Sequence, residues 1–203
     1  MWYSNLTLVL CILSLLVACS NRTALIENRD DEGRLTERFE RRTDDFAREG
    51  RYEAFDSEGK VIEQANYRND TLHGERRLFY PDGKVQAIEQ YVDGRFAGEY
   101  QYFYDDGKLE LRGNYVDGAM NGIWTRYYRN GQIMEEVTFV DNEENGPFVE
   151  YFESGNLKAE GTYQDGDQEQ GILKIYNEDG QLARTMQCDR GICRTIDSLR
   201  TER

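Results

Sequence analysis

The 203-residue chain has a single histidine, two prolines, two tryptophans and four cysteines. One imidazole excludes a His-rich metal centre and any chemistry that needs a second. That residue, His73, falls in the polar stretch 69–74, where a solvated role is sufficient. No G-x-G-x-x-G run is present to cradle a phosphate. Positive charge is also scarce: 25 Lys and Arg stand against 39 Asp and Glu, a net charge of −14. That balance excludes the cationic footprint of a nucleic-acid binder, and it opposes direct adsorption to an anionic lipid surface. Long apolar runs are missing as well. The longest, Leu6 to Ala18, has thirteen residues, short of the roughly 20 that cross a bilayer. Nothing in the sequence calls for a cofactor or a metal.

What the chain does have is a period. Gly50, Gly74, Gly98, Gly122, Gly146 and Gly171 are separated by 24, 24, 24, 24 and 25 residues. Nine residues after each stands a second glycine: Gly59, Gly83, Gly107, Gly131, Gly155 and Gly180. Five residues in there is always an aromatic, Phe55, Phe79, Phe103, Tyr127, Tyr151 or Tyr176. Eleven in there is always an aliphatic, from Val61 to Leu182. Seventeen in, the column reads Tyr67, Tyr91, Tyr115, Phe139, Tyr163 and then Cys188. Glycine makes up about 7% of ordinary sequences, so two all-glycine columns define six true copies: 50–73, 74–97, 98–121, 122–145, 146–170 and 171–193.

The chemistry of each copy is that of a β-hairpin. Tyr80-Pro81-Asp82-Gly83 and Tyr104-Asp105-Asp106-Gly107 read as type I turns closed by a left-handed glycine. A second turn follows near twenty residues in, as Asp93-Gly94, Asp117-Gly118 and Asp165-Gly166. Between the turns lie short runs rich in Tyr, Phe, Val, Ile and Thr, the composition of strands. The fold class is therefore all-β: an elongated antiparallel hairpin repeat, one sheet in which each unit gains its core from its neighbours. Twelve strands at about 4.8 Å would span roughly 55–60 Å. In the second strand, Leu109, Leu111, Gly113 and Tyr115 form one face and Glu110, Arg112 and Asn114 the other. In the first, the column of Phe103, Tyr127 and Tyr151 is expected to be the structural ladder. Tyr100, Tyr102, Tyr104, Trp124, Tyr128, Phe148 and Phe152 are then assigned to the opposite face, as candidate binding residues with large area and polar handles. Burial of both aromatic sets within a curved ribbon is the alternative.

The unit G-x-[YW]-x-x-[FY]-Y-x-D-G, seen best from Gly98 to Gly107 and from Gly122 to Gly131, resembles the MORN repeat in its bacterial variant form. Some members of that group are labelled YwqK-family antitoxins. The resemblance implies a non-enzymatic scaffold that binds proteins or works near a membrane. Copies one and six depart from the pattern, with Asp56 and Asn177 where the second aromatic belongs, as terminal repeats often do. Residues 33–49 have the features of a further, degenerate repeat.

Two other features bear on location. Leu6–Ala18 has the length of a signal-peptide core and ends in Leu16-Val17-Ala18-Cys19, which resembles a bacterial lipobox. That implies a signal peptide over 1–18, lipidation of Cys19 and a polar tether over 19–32. Ser20 after the cysteine favours the outer membrane. Met1–Asn5 lack Lys and Arg, which leaves a plain secretory signal or a short anchor as alternatives. Export into an oxidising compartment fits the remaining cysteines: Cys188 and Cys193 flank the last turn, where a disulfide can form, ahead of a tail over 194–203. Acidic turns such as Asp105-Asp106 offer oxygen ligands of the kind Ca²⁺ takes, and simple solvation explains them equally. Two function classes follow: a binding lipoprotein that takes a protein, peptide or glycan partner, and a permanent structural subunit of an envelope assembly.

Overall fold

The computed structural model describes residues 23–198. Among them there is no helix, and eighteen strands form one sheet in which every pairing is antiparallel. Each long strand pairs with the long strands before and after it in sequence, so the described chain is a continuous meander. Copy three shows the plan. Gly98–Phe103 pairs with Leu109–Val116, which pairs with Ala119–Tyr127, the first strand of copy four. Two-residue strands at Thr71–Leu72, Arg95–Phe96 and Gln168–Glu169 precede the first strands of copies two, three and six.

Both turns have the predicted geometry. In the first, the N–H of Gly107 donates to the Tyr104 carbonyl at 2.9 Å, and Gly107 has φ +88°. The second turn puts two successive residues at positive φ, as in Asp117 (51°) and Gly118 (88°). That is the mirror-type turn whose twist suits a hairpin. Where glycine is missing, Asn69-Asp70 and Asp141-Asn142 adopt the same conformation, which short polar side chains tolerate.

The aromatic column five residues in and the aliphatic column eleven in are cross-strand partners in all six copies: Phe55 with Val61, Phe79 with Val85, Phe103 with Leu109, Tyr127 with Ile133, Tyr151 with Leu157 and Tyr176 with Leu182. The register slips by one residue directly after each pair. Tyr102 therefore faces Leu111, and Tyr100 faces Gly113. This bulge decides the faces, since a one-residue slip carries a strand's side chains to the other side of the sheet. Tyr100, Tyr102, Trp124 and Phe148 consequently share the face of Leu111, Gly113 and Tyr115. The expectation that they oppose the packed face is corrected.

Both ends extend further than the sequence reading. Thr23–Arg29, inside the segment assigned to a polar tether, is a strand paired with Leu35–Arg42. Its turn repeats the pattern of the copies, with Gly33 at φ +81° donating to Asp30 O at 2.9 Å. The degenerate repeat is thus the second half of a hairpin that begins at Thr23. At the other end Ile192–Ser198 is a strand paired with Leu182–Asp189, so residues 194–198 of the expected tail belong to the sheet. The leader and Cys19 lie outside the described residues.

Candidate functional site: an aromatic face with an acidic notch

Stacking between copies builds the site. Tyr80, Tyr104 and Tyr128 donate their hydroxyls to the carbonyls of Phe103, Tyr127 and Tyr151 in the next copy, at 2.6, 2.7 and 2.8 Å. Beside them Lys84 Nζ donates to Asp105 O at 2.7 Å and Lys108 Nζ to Arg129 O at 2.6 Å. On the other margin the N–H of Gly94 reaches Leu72 O at 2.9 Å and that of Gly118 reaches Phe96 O at 2.8 Å. Both rows of turns are therefore joined copy to copy. Tyr104 and Tyr128, assigned to the binding face, are rungs of this ladder. The signal in the sequence was a column running Tyr80, Tyr104, Tyr128, Phe152 that ended in Asp56 and Asn177. Those two carboxylate and amide oxygens instead cap their own turns, accepting from the N–H of Lys60 at 2.9 Å and of Gln181 at 2.8 Å.

The packed face holds a chain of rings. Phe96 stacks on Tyr115 at 4.7 Å between centroids, Tyr115 meets Trp124 edge-on at 5.1 Å, Tyr100 lies 5.7 Å from Trp124, and Phe139 lies 6.1 Å beyond. Phe148 stacks on Tyr163 at 4.2 Å. Trp124 and Phe148 are each 4% exposed, so they are core rather than an exposed recognition surface. Tyr100, Tyr102 and Phe152 are half-buried. Gly113 and Gly161 make the packing possible. A Cβ on Gly113 would collide with the Trp124 indole, and one on Gly161 would lie 2.7 Å from Phe148 Cε1.

Copy two interrupts this chain with charge. Arg76 stands where the other central copies carry Tyr100, Trp124 and Phe148. Its guanidinium donates to Glu63 at 2.7 Å and to the buried Glu89 at 3.0 Å, and Tyr91 donates to Glu89 at 3.1 Å. On the opposite face of copies one and two a groove of about 300 Å³ is lined by polar groups that satisfy one another. Gln64 donates to Glu53 at 3.1 Å and Arg77 pairs with Glu75 at 2.7 Å.

In copies four and five the aromatic face turns acidic. A cavity of about 120 Å³ is walled by Met120, Trp124, Phe139, Arg126, Glu135 and Glu144, among others. Arg126 pairs with Glu135 at 3.3 Å and Lys158 with Glu150 at 2.7 Å. Glu144 has no cationic partner among the described residues. Burial, with Asp167 and Glu135 nearby, raises its carboxyl above the usual range. The Tyr163 hydroxyl is pushed up to about 12 by burial and by the charges of Glu144, Glu150, Glu169 and Glu135. Trp124 Nε1 is buried and has no hydrogen-bond partner among the described residues. No three His, Cys, Asp or Glu among the described residues converge closely enough to hold a metal ion.

The family model for the MORN repeat variant matches residues 48–69, 72–93, 97–117, 120–141 and 144–165, just over half of the chain. The chain belongs to the MORN repeat variant family. No curated protein matches it. The MORN repeats so matched are copies one to five, in a frame shifted by about two residues. Hairpins outside the matched segments, Thr23–Arg42 and Gly171–Asp189, follow the same plan. MORN repeats are non-catalytic units of binding and scaffolding, and this one ends in a covalent clasp. Cys188, 1% exposed, takes the place of the ring seventeen residues in. It is bonded to its cross-strand partner Cys193, with S–S 1.97 Å and Cα atoms 4.0 Å apart.

Proposed function

We propose that the protein is a non-enzymatic scaffold of the bacterial envelope, anchored through lipid on Cys19, that holds a protein partner on its aromatic face. The observation that carries this reading is a single-layered sheet. Tyr100, Tyr115, Phe139 and Tyr163 share the packed face, and each keeps part of its ring exposed because no second layer among the described residues covers it. Half-exposed Tyr and Phe beside carboxylates suit a protein interface, where aromatic area supplies affinity and charge selects the partner.

A second reading, a permanent subunit of an envelope assembly, is favoured by the two open edges. Among the described residues, Thr23–Arg29 and Ile192–Ser198 each pair along one margin only, with Leu25, Ile192 and Ile196 63%, 70% and 60% exposed. Such edges template further strand pairing. One experiment addresses anchor and partner together. A palmitate analogue is expected to label the tagged wild type and not Cys19→Ala, and only the wild type should partition with membranes. Extraction in detergent at high salt should then release the scaffold free of its partner. Retention of a stoichiometric partner under those conditions would favour the permanent subunit, and a soluble wild-type product would overturn the anchor.

A further inference from the structure

The acidic notch at Trp124 differs from the rest of the aromatic face in what it leaves unmet. We propose that it takes the ammonium group of a lysine side chain presented by a protein partner, an inference that rests on the scaffold reading above.

Charge comes first. Twenty-two residues after the leading glycine, copies one to three carry Leu72, Phe96 and Met120, and copy four carries Glu144. A carboxylate has replaced an apolar side chain on a packed face, directly across from Phe139. Such a group is costly without a partner, and the described residues supply none. Arg126 and Lys158 engage Glu135 and Glu150, and Asp167 and Glu169 add further negative charge nearby. The excess is thus local as well as global, on a chain of net charge −14.

The second observation is independent of charge. Trp124 is 4% exposed and forms a wall of the cavity, and its Nε1 is the one buried side-chain polar atom among the described residues without a partner. A buried N–H of this kind lacks an acceptor. An extended peptide with one lysine brings ammonium donors for Glu144, and its backbone carbonyls offer the indole an acceptor where the ring yields at the cavity wall. The rings of Trp124 and Phe139 add cation–π attraction, and Met120 gives the lysine methylenes an apolar wall. About 120 Å³ accommodates an ammonium and its last methylenes. The carboxylates are too dispersed to chelate a metal ion, whereas a flexible stem can present one ammonium between them.

The test uses the protein in detergent with Trp2→Phe, so that Trp124 is the only tryptophan whether or not residues 1–18 have been cleaved, and with tryptophan excited selectively over the tyrosines. The probe is the pentapeptide acetyl-Gly-Gly-Lys-Gly-Gly-amide, with its norleucine counterpart as control. The lysine peptide is expected to shift Trp124 emission saturably, and the norleucine peptide to leave it unchanged. Glu144→Gln should weaken binding about fivefold, the scale of one partly exposed ion pair. Glu178→Gln, which removes the same charge from an exposed turn of copy six, should weaken it by less than about twofold. Equal weakening by the two substitutions would reduce the effect to bulk charge and overturn the site. So would an equal response to norleucine. Binding of free cadaverine as tight as that of the peptide would overturn the protein source. Silence toward the lysine peptide, with partner capture by the scaffold intact, would remove the notch alone. Loss of partner capture in wild type would remove the scaffold reading itself.

Discussion

Arg76 in copy two and Trp124 in copy four stand at the same place in the repeat, two residues after the leading glycine, and the sheet buries them by different means. Trp124 is packed with rings and sits over Gly113. Arg76 donates hydrogen bonds to Glu63 and Glu89, and Tyr91 donates to the same Glu89 carboxylate. The backbone asks only for a large side chain spanning neighbouring strands. What that side chain must be is set by the residues it meets on the neighbouring strands: Gly113 beneath makes room for an indole, and Glu89 across the strand demands a guanidinium. Specificity lies in cross-strand pairs rather than in single columns.

Truncation should separate the two solutions. Trp124→Ala removes the most buried ring of the aromatic chain and is expected to cost about 4 kcal/mol, the range of core aromatic truncations. The measurement is the urea midpoint, together with hydrogen exchange in Ala119–Tyr127 and its two neighbours. A loss below about 1 kcal/mol would show that the ring is not core. Arg76→Ala should cost about 3 kcal/mol, because Glu89 is left buried and uncompensated. The pair Arg76→Tyr with Glu89→Gly converts copy two to the pattern of copy three, Tyr100 facing Gly113. It should restore wild-type stability or exceed it, since apolar replacements of buried ion pairs are often neutral or better. A double variant as weak as Arg76→Ala would mean that copy two needs its charge for another reason.

The two regions also differ in how far they could be read in advance. Period and turns came from the two glycine columns and from Asp-Gly pairs, because those residues answer to local φ and ψ, which sequence states directly. The twelve strands they implied are joined by three two-residue strands and three strands at the ends, eighteen among the described residues. The faces of the first strand did not. Alternation alone puts Phe103 and Tyr102 on opposite sides, and Phe103 does pair with Leu109. The bulge beside it then returns Tyr102 to Leu111 on the packed face. A slip at a hairpin leaves no mark in composition, so the side that Trp124 and Phe148 take became legible only with the register. The first strand was missed for a simpler reason. Ala24 replaces the leading glycine and Arg29 the aromatic, although the turn Asp30-Asp31-Glu32-Gly33 was there to be read.

Gly113 tests the pair from its other member. Its φ is not in the left-handed region, so its conformation asks nothing special of it, and only the overlying indole forbids a side chain. Gly113→Ala is expected to cost about 2 kcal/mol by overpacking. Ala65, which already faces Tyr52 in copy one, shows that a methyl fits where no tryptophan lies above. Combining Gly113→Ala with Trp124→Leu should therefore recover part of the loss, and strict additivity of the two changes would deny that they touch.

The smallest effect concerns the joints between copies rather than their filling. Tyr104 donates to Tyr127 O at 2.7 Å and lies in the middle of three such rungs. Tyr104→Phe deletes one hydrogen bond and keeps the ring, so the expected loss is about 1 kcal/mol. The chain contains its own precedent, since copy five carries Phe152 in this column and is joined to copy six by Asn156 Nδ2 donating to Glu178 O at 2.7 Å instead. Copy three has the corresponding second link, Lys108 Nζ to Arg129 O. The joint should hold after Tyr104→Phe, and exchange should quicken in Gly98–Phe103 and Ala119–Tyr127 while Gly171–Tyr176 is unchanged. Adding Lys108→Met removes the second link, and the array should then open between copies three and four at lower urea than either half unfolds. Uniform loss of protection across all six copies would instead mean that the sheet melts as one body, and that the rungs do not mark its joints.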